Sequence, residues 1–297
     1  MRTVEFEVPQ AYDGVSVRGF LRGPCGVSAR LLAQCKRVAG GITVRGERRI
    51  ATDRLRAGDT LTLRLPEEED AGQTHPNGAP PLDVLYADDA MVAVNKPANM
   101  VIYARAGNLT GTLRDVALEY FRQHSEPAVF HPLYRLDRDT TGIVLLARDR
   151  YAAAAVPATV HKVYWAVCEG ELRGSGTVDL PLGPAEGSKV RQRPRPDGRT
   201  AVTHWRALGD AGGHTLLACT LETGRTHQIR VHMAAMGHPL AGDGFYGGSH
   251  TYIGRQALHC AAATFHSPAG GLVRVQAPLP ADFIALLTRI GLALPAP

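Results

Sequence analysis

Two stretches of this 297-residue chain crowd acids, arginines and histidines together. The first is Tyr134-Arg135-Leu136-Asp137-Arg138-Asp139-Thr140-Thr141-Gly142. Arginine on both sides of a carboxylate favours its ionised form, which a nucleophile or general base requires. Taken alone, the string equally describes an ion-paired surface turn, and Asp139 reads as a structural partner of that kind rather than a second acid. The second stretch is Thr223-Gly-Arg-Thr-His-Gln-Ile-Arg-Val-His232, with Arg225, His227, Gln228, Arg230 and His232 in eight positions. His227 and His232 stand five apart, which suits neither a helical nor a strand pair of zinc ligands. No Cys or carboxylate completes a set, so no metal is expected. Arg and Gln at this density suit phosphate oxygens and base edges.

These residues need elements to hold them. Ile143-Val-Leu-Leu146, bounded by Gly142 and Arg148-Asp149, predicts a buried strand directly after the first cluster. Further strands are predicted at 84–86, 91–94, 163–167, 202–207, 215–221 and 272–275, and helices at 111–124 and 281–290. Strands outnumber helices, and the strand–helix–strand alternation of a parallel sheet is missing. The fold class is therefore α+β, a large mixed, mainly antiparallel sheet flanked by helices. Trp165 and Trp205 fall inside strand patterns and read as core. Arg191-Gln-Arg-Pro-Arg-Pro196 is either a basic clamp or a solvated loop. Gly242-Asp-Gly-Phe-Tyr-Gly-Gly248 lacks the strand–helix context and the lysine of a phosphate cradle.

Residues 1–66 form a second unit. Ser28 is an N-cap before Leu31, Leu32, Cys35 and Val38, Gly40-Gly41 stops that helix, and strands are expected at 42–44 and 61–65 with a turn at Arg45-Gly46-Glu47 after the first. Twelve Lys+Arg stand against six Asp+Glu here, whereas residues 67–297 hold 21 against 22. The whole excess of +5 therefore lies in the first fifth of the chain. Arg30, Lys36, Arg37, Arg45, Arg48 and Arg49 cluster on the helix and the hairpin after it, which suits RNA phosphates. An acidic run, Pro66-Glu-Glu-Glu-Asp70, and turn-forming residues to Pro81 read as a solvated connector over 67–81. Composition is ordinary for a globular protein, with 44% hydrophobic and 21% charged residues. No apolar run of about 18 residues predicts a membrane helix, and the N-terminus lacks a secretory h-region. Five cysteines without C-x-x-C spacing argue for a reducing cytoplasm.

In order along the chain, these motifs resemble the RluA-type pseudouridine synthase family with an N-terminal alpha-L RNA-binding domain. Leu82-Asp-Val-Leu-Tyr-Ala-Asp88 and Val92-Ala-Val-Asn-Lys-Pro-Ala-Asn-Met100 are similar to its opening strands. Arg135-Leu-Asp137 with Thr140-Thr-Gly142 resembles its signature, Lys162-Val-Tyr164 its second motif and Gly224-Arg-Thr-His-Gln-Ile-Arg230 its third. Leu258-His-Cys260, Phe265-His-Ser-Pro268 and Ala277-Pro-Leu-Pro-Ala-Asp-Phe283 resemble its ending. The resemblance implies an alpha-L domain over 1–66 and a catalytic domain over 82–297. It implies Asp137 as the aspartate that isomerises uridine, Tyr164 against the uracil ring as a candidate for proton transfer from carbon 5, and Arg230 paired with Asp137. Arg135 would fill the space of a flipped nucleotide, with Arg225, His227, Gln228, Arg30, Arg37 and Arg45 as further RNA contacts.

That chemistry needs one carboxylate and no cofactor, and an RNA base drawn out of its stack. The expected partner is ribosomal RNA, with transfer RNA the alternative, and the expected protein is a cytoplasmic monomer. Tyr134 stands where the family usually has His, so an acid–base role there would be lost, with His131 the nearest substitute. The chain between Arg150 and Lys162 leaves only a turn or two of helix before Pro157. Asn99 stands where Gly is commoner and tolerates positive φ. Two rival readings remain at this level: a non-catalytic RNA binder that keeps the fold, and a glycoside hydrolase. The latter needs two acids facing across a sugar, and only Glu222 accompanies the second cluster.

Overall fold

The computed structural model describes residues 2–67, 70, 73–104, 110–188 and 190–295. Glu68 and Glu69 of the acidic run, and Ala71, Gly72 and Lys189, lie outside the described residues. The N-terminal stretch builds its own sheet and core. In chain order it runs β1 (Thr3–Glu7), α1 (Val17–Arg22), α2 (Ala29–Cys35), β2 (Ile42–Val44), β3 (Glu47–Arg48) and β4 (Thr60–Arg64). The strands pair antiparallel in the order β1-β4-β2-β3. Ser28 caps α2 as its position predicts, its hydroxyl accepting from the Leu31 N–H at 3.1 Å. Leu31, Leu32 and Cys35 then turn inward against Phe20, Leu21, Leu61 and Leu63.

The described part of the connector is solvent-facing, as its composition suggests, with none of its residues buried, but it is tethered. Asp70 accepts from Arg114 Nε at 3.1 Å, and its carbonyl accepts from Arg122 at 3.0 Å. Thr74 donates to Glu119 at 3.2 Å. Polar side chains of one helix therefore strap the connector down, a contact that composition cannot reveal.

The remaining elements are β5 (Val84–Ala87), β6 (Met91–Lys96), α3 (Leu113–Gln123), β7 (His131–Pro132), β8 (Thr141–Ala147), α4 (Arg150–Ala155), β9 (His161–Glu169) and β10 (Ser175–Asp179). They continue with β11 (Leu182–Pro184), β12 (Gln192–Pro194), β13 (Val202–Ala211), β14 (His214–Leu221), α5 (Gln228–Ala235), β15 (Leu258–Ser267), β16 (Gly271–Gln276) and α6 (Ala281–Ile290). Among the described residues ten strands form one sheet, ordered β10-β13-β14-β9-β15-β8-β6-β5, with β16 on β15 and β7 on β8. Only the β8–β15 ladder is parallel among these pairings, so the expected mixed, mainly antiparallel class is borne out. Gly142 makes that ladder possible. Its φ is +105°, and a Cβ there would meet the Cys260 carbonyl oxygen at 2.2 Å.

Helices cover this sheet where the periodicity predicts them. Thr112 and Asp115 form a capping box at the start of α3, and Leu113, Val116, Ala117 and Phe121 pack onto β6 and β8. α6 buries Phe283, Leu286, Leu287 and Ile290 in a separate cluster with Val167 and Leu216. Each large apolar side chain so buried contributes about 1.5–3 kcal/mol. α4 ends in a 3-10 turn at Val156–Thr159 that contains Pro157. Its Tyr151 completes the N-terminal core, Arg2 pairs with Asp149, and Arg150 donates to Gln34 at 3.1 Å. The N-terminal unit is thereby seated against the large sheet. No helix among the described residues is long and apolar enough to cross a membrane.

Candidate active site

Two buried basic side chains grip the loop between β7 and β8 that carries Asp137. Lys96 ends β6 fully buried, and its Nζ donates to the carbonyls of Pro97 (2.7 Å), Met100 (3.0 Å) and Arg138 (2.9 Å). Arg255 donates to the Asp139 carbonyl at 3.0 Å and is held by both oxygens of Asp282, at 2.6 and 2.8 Å. Carbonyls that a turn cannot place in a ladder are thus paired rather than left orphaned. Asp139 is a structural partner as expected, accepting from Arg138 at 3.0 Å and from the Asn99 N–H at 3.2 Å. Asn99 itself adopts φ +59°.

Burial pulls Lys96 down to about 7, against the opposing pull of Asp139 and Asp137. An unfolded chain would carry this lysine charged up to about pH 10.4. Between these limits the unfolded state binds more protons than the folded one, so stability rises with pH. The unfolding free energy of the wild-type chain relative to Lys96→Met is expected to rise by roughly 1 kcal/mol per pH unit from pH 7 to 10. Chemical denaturation across that range measures it, and a flat difference would contradict it.

Asp137 meets α5 across the sheet. The Arg230 guanidinium makes three charged hydrogen bonds: Nη1 to Asp137 at 3.0 Å, and Nε and Nη2 to the two oxygens of Asp243 at 2.7 and 2.8 Å. Burial works against its charge, but the hydrogen bonds and charges of Asp243 and Asp137 more than offset this and raise its pKa. Side-chain exposure grades outward, from 1% for Asp243 through 8% for Arg230 to 24% for Asp137. One edge of the guanidinium is therefore locked from behind while the other is presented to a carboxylate open to the cleft. Asp243 is the residue that sequence reasoning missed, and it lies in the glycine-rich loop dismissed as a phosphate cradle. The glycine before it has φ +74°, and a Cβ there would strike the Arg255 carbonyl oxygen at 2.0 Å. Asp243 is sealed behind Arg230 and Glu222 pairs with His204 at 2.8 Å, so neither faces Asp137 across a sugar-sized gap.

The cleft above has a volume of about 1100 Å³ and is lined by Arg135, Asp137, Tyr164, Arg225, His227 and Arg230 among others. The two sequence clusters, Tyr164 and the start of β12 therefore converge. Arg135 is exposed at the lip. His227, at φ +57°, takes a hydrogen bond of 2.8 Å with the Tyr246 hydroxyl through Nδ1, while its Nε2 lies 3.8 Å from Asp137. Arg225 is anchored by Nε to the Thr200 carbonyl at 2.9 Å.

Gln228 departs from its expected role as an RNA contact. Its carbonyl oxygen accepts from Thr223 and the Arg225 N–H at 2.8 and 3.0 Å, and its amide nitrogen donates to Val202 and Thr203 at 2.9 and 3.1 Å. With all four positions engaged inside the protein, it fastens the loop to β13 and has none left for RNA. His232 is likewise internal, bonded to Thr203 and to the Leu180 carbonyl at 2.9 and 3.0 Å. Arg30, Arg37 and Arg45 lie outside this cleft, exposed on the N-terminal unit, with Arg45 paired to Asp59 at 3.0 Å.

Tyr164 lines the cleft although its residue is 5% exposed, and burial raises its pKa well above the ordinary value, so the phenol stays protonated. Tyr134 donates to the Ile143 carbonyl at 3.0 Å, and the Lys162 ammonium lies 3.9 Å from its ring centroid. The ring thus keeps a packing and hydrogen-bonding role as expected. His131 pairs with Ala147 in the β7–β8 ladder and is not among the cleft-lining residues.

Comparison with known proteins agrees with this geometry. Residues 90–235 match the model of the RNA pseudouridylate synthase family. The chain is 37% identical over 272 residues to the uncharacterized RNA pseudouridine synthase YjbO of Bacillus subtilis (strain 168), covering 89% of this chain and 96% of that one. It is 38% identical over 277 residues to the ribosomal large subunit pseudouridine synthase D of Xanthomonas campestris pv. campestris, covering 85% and 82%. Among solved structures it resembles human RNA pseudouridylate synthase domain containing 4, with TM-score 0.57, 25% identity, and coverage of 72% of this chain and 95% of that one.

Proposed function

Since the chain belongs to the RNA pseudouridylate synthase family, we propose that it isomerises uridines of ribosomal RNA to pseudouridine with Asp137 as the catalytic carboxylate. The observation that carries the residue assignment is the Arg230 guanidinium, locked by Asp243 and turned onto Asp137 at the floor of the cleft. The reaction breaks the bond from C1′ of the sugar to N1, forms one from C1′ to C5, releases the C5 proton and returns a proton to N1. Nothing is oxidised or reduced, so positioned acids, bases and charges suffice. A cleft of about 1100 Å³ exceeds the usual range of small-ligand pockets and suits a flipped nucleotide with its flanking backbone. Tyr164 packs on the uracil, and its protonated hydroxyl takes part in the C5 proton's departure only as a relay. Arg135, at the lip, enters the gap left in the RNA.

Ribosomal RNA is favoured over transfer RNA because curated relatives, including the one from Xanthomonas campestris, are described as ribosomal large subunit enzymes. Pseudouridine mapping in ribosomal and transfer RNA from cells with and without this protein tests the assignment. Loss confined to transfer RNA sites would overturn the substrate, and no change in either RNA would overturn the function.

We further infer an alpha-L RNA-binding module at 1–66, a connector at 67–81 and a catalytic domain at 82–297. Arg30, Arg37 and Arg45 of the module hold RNA phosphates. Each phosphate contact adds about 0.7–0.9 to the slope of log affinity against log salt. Changing all three to Gln is expected to flatten that slope by about 2, read from RNA titrations at several salt concentrations. An unchanged slope would refute the role of these arginines.

A further inference from the structure

The glycine-rich loop that supplies Asp243 also pushes a phenylalanine outward. Phe245 is 44% exposed, although burying a Phe side chain would gain about 1.5–3 kcal/mol. Its ring is fixed rather than loose. The rings of His227 and Tyr246 meet it edge-to-face at 5.8 and 5.3 Å; these two residues hydrogen-bond each other at 2.8 Å, and His227 Nε2 lies 3.8 Å from Asp137. The Arg230 guanidinium lies 5.9 Å from its centroid, which places the ring within one side chain of the candidate carboxylate. The Arg191 guanidinium lies 5.7 Å from the same centroid and 5.8 Å from that of Tyr246. Arg191 and Arg193 are exposed, and neither forms an ion pair with a carboxylate among the described residues.

We propose that Phe245 and Arg191 form a stacking site for an unpaired nucleobase next to the target uridine, with Arg191 on the adjoining phosphate. The inference rests on the RNA-modifying reading above and adds a binding subsite to it. An oriented, half-exposed aromatic ring beside a guanidinium that has no carboxylate partner among the described residues matches the two faces of a nucleotide, one π and one anionic. A neutral or cationic protein partner would leave the arginines uncompensated. Flipping the uridine leaves its neighbours without a stacking partner, and the ring lies beside the space where that happens. Stacking there offsets part of the cost of opening the RNA. Under this proposal the arm at 191–196, of which Gln192–Pro194 form β12, is an RNA contact rather than a solvated loop.

The test uses the full chain and a fluorescein-labelled RNA hairpin with an unpaired loop around a central uridine, plus counterparts with an abasic site on either side of that uridine. Phe245→Ala and Phe245→Leu should each weaken binding about tenfold, while Phe245→Trp should retain it. An abasic site on one side should weaken wild-type binding by a similar factor and abolish the effect of Phe245→Ala. Unchanged affinity in the Ala and Leu variants would overturn the proposal, as would penalties that multiply on the abasic RNA. Product formation by the wild-type chain is followed separately. RNA binding that depends on Phe245 without any pseudouridine would sink the catalytic reading and leave the subsite standing.

Discussion

Asp137→Asn is expected to lower pseudouridine formation by at least about 10³-fold while RNA affinity stays within about twofold. The two readouts separate because Asp137 sits on the cleft floor with its side chain 24% exposed, whereas the exposed arginines proposed to hold RNA lie at the lip and on the N-terminal unit. Asn keeps the volume and one oxygen that can accept from Arg230. It loses the charge and lone-pair basicity needed either to attack carbon or to remove a proton. Release of tritium from carbon 5 of labelled uridine in RNA follows the reaction, because that C–H bond must break. A variant that releases tritium at the wild-type rate would remove Asp137 from the mechanism. Parallel loss of affinity and rate would instead make it a binding residue.

Elements with one dry and one wet face were legible in the sequence. The apolar stripes of α3 and α6 and the cap at Ser28 follow the helical period, and all three stand where expected. α5 and β15 escaped the same reading because burial on all sides erases periodicity. Gln228 through Met233 are buried in succession on α5, and β15 is an alanine-rich strand with neighbours on both edges. Composition read the connector's solvation correctly and missed only its tether, in which Asp70 and Thr74 are bound by α3.

The site was legible in its parts and not in its assembly. Asp137 and Arg230 stood out by local density of charge, yet 93 residues separate them, and only the family resemblance joined them beforehand. Gln228 looked like a reader of bases because an amide among arginines does so in a string, whereas its hydrogen bonds turn inward. Asp243 was hidden by its setting among glycines, which reads as a flexible loop. An acid between glycines directly after Leu240-Ala241 was the available signal, since that backbone approaches Arg255 too closely for any side chain at Gly242.

Asp243→Asn is therefore expected to lower kcat about 10²-fold with little change in KM, although the Asp243 side chain is only 1% exposed. The carboxylate receives two donors from one guanidinium edge, at 2.7 and 2.8 Å. Asn offers a single oxygen there and turns its NH₂ against an arginine N–H, so one bond is lost and a donor faces a donor. Arg230 is then free to rotate toward its one remaining anion, Asp137, and the carboxylate loses its fixed aim. Misplacement of a reacting group by about 1 Å can cost about 10²-fold. The substitution also breaks a buried ion pair, which costs about 3–5 kcal/mol of stability, so lost activity alone would prove nothing. Leu287→Ala in the α6 cluster supplies the comparison, because it costs about 2–5 kcal/mol in a cluster that contributes no residue to the lining of the cleft. Assayed below both melting temperatures, Leu287→Ala should retain its kcat and Asp243→Asn should not. Asp243→Glu, which restores charge on a longer stem, should recover part of the rate. Equal kcat in the two destabilised variants would reduce Asp243 to a structural residue and leave Arg230 aimed by the helix alone.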